Sequence, residues 1–262
     1  MSVRGWWRDF TDLVLPSDCE GCGAPRTPLC EACHAALCGR APVRVRPDPE
    51  PPGLPAVHAA AVYEGRARSL LLAHKERGAL GLAGVLGCAL AAAVRSGTAS
   101  WGEGGGDTVL PEPAGGAGPA GGAGPVAGPV PGRALLLVPV PSARRAVRAR
   151  GHDPARRIAL AASAELRRGG TPARVTAVLR QRRRVADQSG LGARQRLANL
   201  SGALEAVAGT ARLPADARVV LVDDLMTTGA SLAEAARAVR AVRPGGAPVT
   251  AAVVAATARA FG

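Results

Sequence analysis

Two adjacent carboxylates followed by a hydroxyl-rich turn are the groups best placed to do chemistry: Asp223-Asp224-Leu225-Met226-Thr227-Thr228-Gly229-Ala230-Ser231. The four residues before them, Val219 to Val222, are all apolar, and Arg218 to Val222 reads as a buried parallel strand. In open α/β sheets, ligands bind beyond the carboxyl ends of such strands. Two carboxylates there can accept hydrogen bonds from a vicinal diol, such as the 2′- and 3′-hydroxyls of a ribose. The turn then enters a helix, whose start offers unpaired backbone N–H groups and the positive end of a dipole, both suited to phosphate. Gly229 lets the backbone come close, and the hydroxyls of Thr227, Thr228 and Ser231 add donors. One strand–loop–helix unit would thus grip both ends of a ribose 5-phosphate. The plainer reading is an ordinary turn with a Thr N-cap and two solvated aspartates. No Gly-x4-Gly-Lys-Ser/Thr pattern is present, which argues against a Walker-type ATPase.

A second cluster lies near the start, as Cys19-x2-Cys22-x7-Cys30-x2-Cys33. Paired Cys-x2-Cys units at this spacing suit one tetrahedral, structural Zn²⁺ with four thiolate ligands. The alternative is a degenerate or redox-active module. Cys38 reads as a bystander and Cys88 as core.

The charge is uneven. The chain carries a net +13, and from Ser142 to Arg196 fifteen arginines face only Asp153, Glu165 and Asp187, a net of +12. Such a block suits an anionic partner, nucleic acid or a phosphorylated ligand, with Arg182, Arg183 and Arg184 as its densest run. The other reading is a solvated arginine surface swollen by coding bias, since 32 of the 33 basic residues are arginine. Lys75, the exception, reads as a compact point charge for phosphate or nucleic acid, or as a chance surface lysine. The six aromatic residues do not form a row in the block, which argues against base stacking there.

The elements that must position these groups follow from pattern. Residues 1–50 read as a short N-terminal helix, with Trp6, Trp7, Phe10, Leu13 and Val14 at near-helical spacing, followed by the cysteine module. The Pro-rich stretch 42–55 reads as a stiff linker and domain boundary. Residues 51–262 then form the main domain, interrupted at about 102–132 by a Gly/Ala/Pro-rich insertion that could pack no core. Strands are expected at Ala56–Tyr63, Ala134–Val138, Arg174–Leu179, Arg218–Val222 and Pro248–Ala256. Helices are expected over Arg66–Arg95, with a break near Gly78 and Gly81, and at Pro154–Arg168 and Ser231–Arg243. Arg180–Ser201 reads as a long basic loop. Strands alternating with helices predict an α/β fold with a mainly parallel sheet. At 47% hydrophobic residues the chain can bury a core. No apolar run reaches the roughly 18 residues of a spanning helix, and no secretory signal opens the chain, so a cytoplasmic location is expected.

The acidic pair and Thr-Thr-Gly-Ala-Ser turn resemble the phosphoribosyltransferase signature. Three further segments resemble the ComF (competence protein FC) family. Val138-Pro139-Val140-Pro141-Ser142 with Arg144, Arg145, Arg148, Arg150 and Gly151 is similar to its "VPVP–x–R–RGFN" segment, with His152-Asp153 where Phe-Asn is usual. Tyr63, Gly65, Arg68, Leu70, Leu71 and Lys75 are similar to its "Y-x-G-x-x-R-x-L-I-x-x-x-K" element. Gln188, Leu191, Arg196, Asn199 and Gly202 follow its "Q-x-x-L-x5-R-x-x-N" loop almost in step, one residue short between Leu191 and Arg196 and without the usual Thr before the Gln. The four-cysteine module also belongs to that family.

The resemblance implies a type I phosphoribosyltransferase-like parallel sheet flanked by helices, with a small N-terminal zinc module. It implies phosphoribosyl pyrophosphate and Mg²⁺ as ligands. Asp223 and Asp224 would hold the ribose, Thr227 to Ser231 the 5-phosphate, and Ser142, Arg144 and Arg145 the pyrophosphate. Residues 180–201 would be the loop that closes over them. The implied biology is DNA uptake or processing in natural competence, with single-stranded DNA and a competence helicase-type protein as partners. The alternative is an active transferase moving phosphoribosyl to a nitrogen nucleophile.

Overall fold

Runs rich in Val, Leu and Ala form the central strands β3, β7 and β8 of the described residues, and helices cover them on both faces. The computed structural model describes residues 18–101, 134–183, 193–207, 213 and 217–261. Among these, one six-stranded sheet holds β1 (Val43–Val45), β2 (Val57–Val62), β3 (Leu135–Pro139), β4 (Ala173–Val175), β7 (Arg218–Met226) and β8 (Val249–Ala256). Its order is β1-β2-β8-β7-β3-β4, parallel throughout except for the antiparallel edge strand β1. Two short strands, β5 (Leu179–Gln181) and β6 (Leu204–Ala206), form a separate antiparallel pair. The helices are α1 (Glu31–Cys38), α2 (Gly65–Glu76), α3 (Ala83–Thr98), α4 (Arg144–Arg150), α5 (Pro154–Arg168), α6 (Ala193–Leu200) and α7 (Ala230–Ala241). This mostly parallel sheet flanked by helices is the expected type I phosphoribosyltransferase-like arrangement.

Alternation along the strands sorts the core into two layers. Leu135, Leu137, Val220 and Val222 pack with residues of α2, α3 and α5 on one face. Leu136, Val138, Val219 and Leu221 pack with α7 on the other. A strand buried on both faces has no room for polar side chains, which is why β3 and β8 are apolar or nearly so. Helix α5 begins as expected at Pro154, and the Asp153 side chain caps it by accepting the Arg156 N–H at 3.2 Å.

Several expectations are corrected. The stretch 42–55 is no free linker: β1 pairs along β2, and Pro47 and Leu54 pack behind Gly229. Arg174–Leu179 divides between β4 and β5, which lie in different sheets. Arg180–Ser201 is not loop throughout, since its ends belong to β5 and α6. β7 runs on to Met226, so the acidic pair lies within the strand rather than after it. Leu80–Thr98 is long and apolar enough to cross a membrane, contrary to expectation. Here that segment supplies α3, whose buried face packs in the core beside α5 and the sheet. The N-terminal helix, the 102–132 insertion and Arg184 lie outside the described residues.

The cysteine module is docked on this core. The Sγ atoms of Cys19, Cys22, Cys30 and Cys33 all lie within 4.8 Å of one another. Cys19 and Cys33 are buried against Leu37 and Leu70. Burial would raise the Cys19 thiol, but the backbone N–H groups of Cys30, Gly21 and Cys22 outweigh it and bring it down to about 6. Gly21 leaves the space this needs: a Cβ there would stand 2.6 Å from the Cys33 Sγ. Four converging sulfurs with a stabilised thiolate fit the donor set of Zn²⁺.

Two predictions follow from this packing. Gly87 of α3 meets α5 so closely that a Cβ would stand 2.5 Å from the Ala161 Cβ and 2.9 Å from the Ala162 N. Gly87→Ala gains up to about 1 kcal/mol of helix propensity, yet overpacking of roughly 1–3 kcal/mol outweighs it. The variant should unfold at lower urea, whereas Gly84→Ala, which meets nothing within 4 Å, should not. For the module, elemental analysis should give about one zinc per chain, as one four-thiolate site implies. Cys33→Ser should lower both zinc content and melting temperature; a fully folded, metal-free wild type would contradict the assignment.

Candidate ligand cleft at the carboxyl edge of the sheet

The carboxyl ends of β7 and β3 open into one cleft of about 790 Å³. Its walls include Asp223, Asp224, Thr227 and Ser231 from the β7–α7 connection, Ser142 and Arg145 from the turn after β3, and Lys75 and Arg150. Residues far apart in sequence and expected to touch the same ligand therefore share one space. Thr228, Gly229 and Ala230 complete the turn beside it. Gly229 has φ +73°, and a Cβ there would also crowd Leu54 at 3.1 Å and Pro47 at 3.3 Å. Only glycine suits both constraints. Helix α7 starts directly after it, so its first N–H groups face the turn.

The two aspartates differ. Asp224 is 5% exposed and forms an ion pair with Lys75, Nζ to Oδ2 2.8 Å. The Asp223 Oδ1 accepts the backbone N–H of Asp224 at 2.8 Å. Burial, and then the Asp224 charge beside it, push the Asp223 carboxyl well above the usual range, with Lys75 opposing. Burial works against the Lys75 charge too, but Asp224 outweighs it and its pKa is raised. The cleft thus presents a carboxylate held by an ammonium beside a carboxyl whose hold on its proton is strengthened. Between them they can both accept from and donate to a diol.

Around the pyrophosphate-type turn, the Ser142 Oγ donates to Asp153 Oδ1 at 3.3 Å. The same carboxylate caps α5, which explains why the unusual Asp153 suits its position. Arg150 binds Glu76 through two bonds of 2.9 and 2.8 Å. His152 Nε2 lies 3.2 Å from the His74 carbonyl. Arg144 opens α4 directly after this turn.

The basic residues chosen for nucleic acid separate in space. Lys75 is not on an outer surface but in the cleft, against Asp224. Arg182 and Arg183 are exposed at the end of β5. The Arg183 guanidinium donates to the carbonyls of Asn199 and Ser201 at 2.8 and 2.9 Å, which ties the base of the basic segment together.

Two groups escaped sequence reasoning. Glu234, 5% exposed on α7, accepts the Leu204 N–H at 3.0 Å, and Arg237 donates to Glu234 and to the Leu204 carbonyl. This i,i+3 pair clamps the β5–β6 pair onto the helix that begins at the phosphate-type turn. Burial would raise the Glu234 carboxyl, but Arg237 and the Leu204 N–H outweigh it and lower it. A Glu three residues before an Arg was a visible signal, but of helix stability only. Glu76 likewise gave no hint of a partner 74 residues away.

No curated protein matches the chain. Residues 155–260, from α5 past β8 and including the acidic pair and its turn, match the family model described as phosphoribosyl transferase domain.

Proposed function

We propose that the cleft binds phosphoribosyl pyrophosphate or a closely related ribose 5-phosphate. The observation that carries this reading is the meeting of three chemistries in one space: the Asp223–Asp224 pair, the Thr227–Ser231 turn and the Ser142–Arg145 turn. The acidic pair would take the ribose diol. The N–H groups opening α7 and the hydroxyls of Thr227, Thr228 and Ser231 would take the 5-phosphate. Ser142, Arg144 and Arg145 would neutralise pyrophosphate. Mg²⁺ is a hard cation that takes oxygen ligands, and the pyrophosphate itself supplies them. In this reading the ion arrives on the ligand, because Asp224 is already engaged by Lys75.

A second observation favours turnover. Across β7 from the cleft lies another hollow of about 600 Å³, lined by Tyr63, Glu64, Thr227, Thr228, Thr257 and Arg259. Pyrophosphate held on the β3 side would leave from the anomeric carbon in that direction. An incoming nitrogen nucleophile would then enter from the β8 side, where this hollow opens. The new C–N bond forms as the C–O bond to pyrophosphate breaks, and the acidic pair steadies positive charge on the sugar. Pyrophosphate release in the presence of nitrogen nucleophiles tests this reading and identifies the acceptor.

The ComF resemblance and the arginine block extend the proposal to DNA handling in natural competence, with single-stranded DNA and a helicase-type protein as partners. Thiolate zinc ligands suit a reducing compartment, so the cytoplasm is the proposed location.

Two measurements test these readings. Replacing both Asp223 and Asp224 with Asn should weaken phosphoribosyl pyrophosphate by about two orders of magnitude or more, since the charge-assisted and neutral hydrogen bonds of the pair to the diol are lost together. Inorganic pyrophosphate, which lacks the ribose, should be much less affected in the same calorimetric titration. Tighter binding of both ligands would mean that the aspartates only repel anions. For DNA, affinity should be sequence-independent and fall with salt, with a log–log slope of about −0.7 per phosphate contact. Failure to bind at low salt would remove the nucleic-acid role.

A further inference from the structure

The end of α2 places three consecutive residues against three partners in or beside the cleft. The His74 carbonyl faces His152, the Lys75 ammonium holds Asp224, and the Glu76 carboxylate holds Arg150. Lys75 is the chain's single lysine, and it stands where a guanidinium suits poorly. It makes one contact of 2.8 Å to one oxygen of a carboxylate whose side chain is only 7% exposed. A compact ammonium makes such a single-point contact, whereas a planar fork seeks two oxygens. Its partner lies 149 residues away, at the floor of the proposed ribose end.

We propose that Lys75 is a positioning residue of the ribose subsite: by fixing one oxygen of Asp224, it holds that carboxylate in place and leaves the other oxygen to accept a sugar hydroxyl. This role rests on the phosphoribosyl reading of the cleft. It is distinct from contact with a ligand phosphate, because Lys75 acts through Asp224. The charged and titratable groups around the pair are few and come from three helices, a strand and a turn. They are His74 and Lys75 of α2, Arg150 of α4, Arg157 of α5, Asp223 beside Asp224, and His152. Arg150 faces Glu76 at 2.8 Å, which leaves Lys75, among the described residues, as the cation in contact with the acidic pair.

The sign of the effect follows. A cation beside the acidic pair favours its charged form, and Lys75 opposes the rise of the Asp223 carboxyl, so removing Lys75 shifts that titration to higher pH. Ribose binding that needs charge on the pair then fails at higher pH as the solution is acidified.

The test compares the full-length wild type with Lys75→Gln and Lys75→Arg. Glutamine keeps a hydrogen bond to Asp224 without the charge, and the Lys75 side chain is 31% exposed, so the variant is expected to fold. Ribose 5-phosphate and inorganic pyrophosphate are titrated calorimetrically across pH. The Asp carboxyl carbons of the ligand-free protein are followed by carbon-13 magnetic resonance. Lys75→Gln should weaken ribose 5-phosphate by roughly tenfold or more. It should move the acid limb of binding and the aspartate titration to higher pH, and leave pyrophosphate largely unchanged. Lys75→Arg should restore the aspartate titration. Equal loss of both ligands would show direct anion contact and overturn the proposal. An unmoved aspartate titration would also overturn it. A wild type that binds neither ligand would defeat the phosphoribosyl reading itself, while the titration still decides whether Lys75 sets the charge of the pair.

Discussion

Two neighbouring carboxylates at the end of a buried strand set the terms for everything around them. Unpaired charge in a low-dielectric interior costs several kcal/mol per ion, so it must be compensated or neutralised. This chain uses both solutions. Lys75 compensates Asp224, and burial beside that charge drives Asp223 toward its protonated form. The compensation must come from outside the strand, because the nearest neighbours along β7 and β8 are apolar. Helix α2 therefore has to end over the carboxyl edge of the sheet. Its position is held by Leu70 and Leu71 in the core below and by the cysteine module beside it.

The same helix end connects the cleft's two sides. Glu76 fixes Arg150, and so α4 and the turn that precedes it, at a set distance from the acidic pair. On the opposite side, Glu234 and Arg237 tie the β5–β6 pair to α7. Exposed ion pairs contribute little to stability. The value of these contacts lies in geometry, since a ligand with a diol at one end and phosphates at the other needs its binding groups at fixed spacing. The Pro-rich stretch serves the same end. It continues from the edge strand β1 and presses Pro47 and Leu54 against the back of the Gly229 turn.

Much of this was legible in the residues themselves. The strand–acid–turn–helix unit at 219–231, the limits of α5 and the four-cysteine spacing are all local patterns. Local patterns reflect backbone preference and hydrophobic period, which neighbours in sequence decide. The long-loop reading of Arg180–Ser201 gave way at its described ends for the opposite reason. β5 is three residues long and is a strand only because β6 pairs with it and α7 holds them both. The segment Leu80–Thr98 is long and apolar enough to cross a membrane, but its α3 packs beneath α5 in the core.

By itself, the sequence determined which groups are available: an acidic pair on an apolar strand, a glycine turn that can admit phosphate, arginines after Val138-Pro139-Val140, and thiols in zinc-ligand spacing. It also determined the period-2 alternation that sorts β3 and β7 into two apolar faces. Only the tertiary structure decided that Lys75 belongs to Asp224 rather than to an outer surface, that Glu76 belongs to Arg150, and that the turns after β3 and β7 face one cleft. The reason is physical. Ion pairs and shared cavities depend on through-space distance, and a parallel sheet brings together strand ends separated by dozens of residues, leaving no periodic trace in the chain.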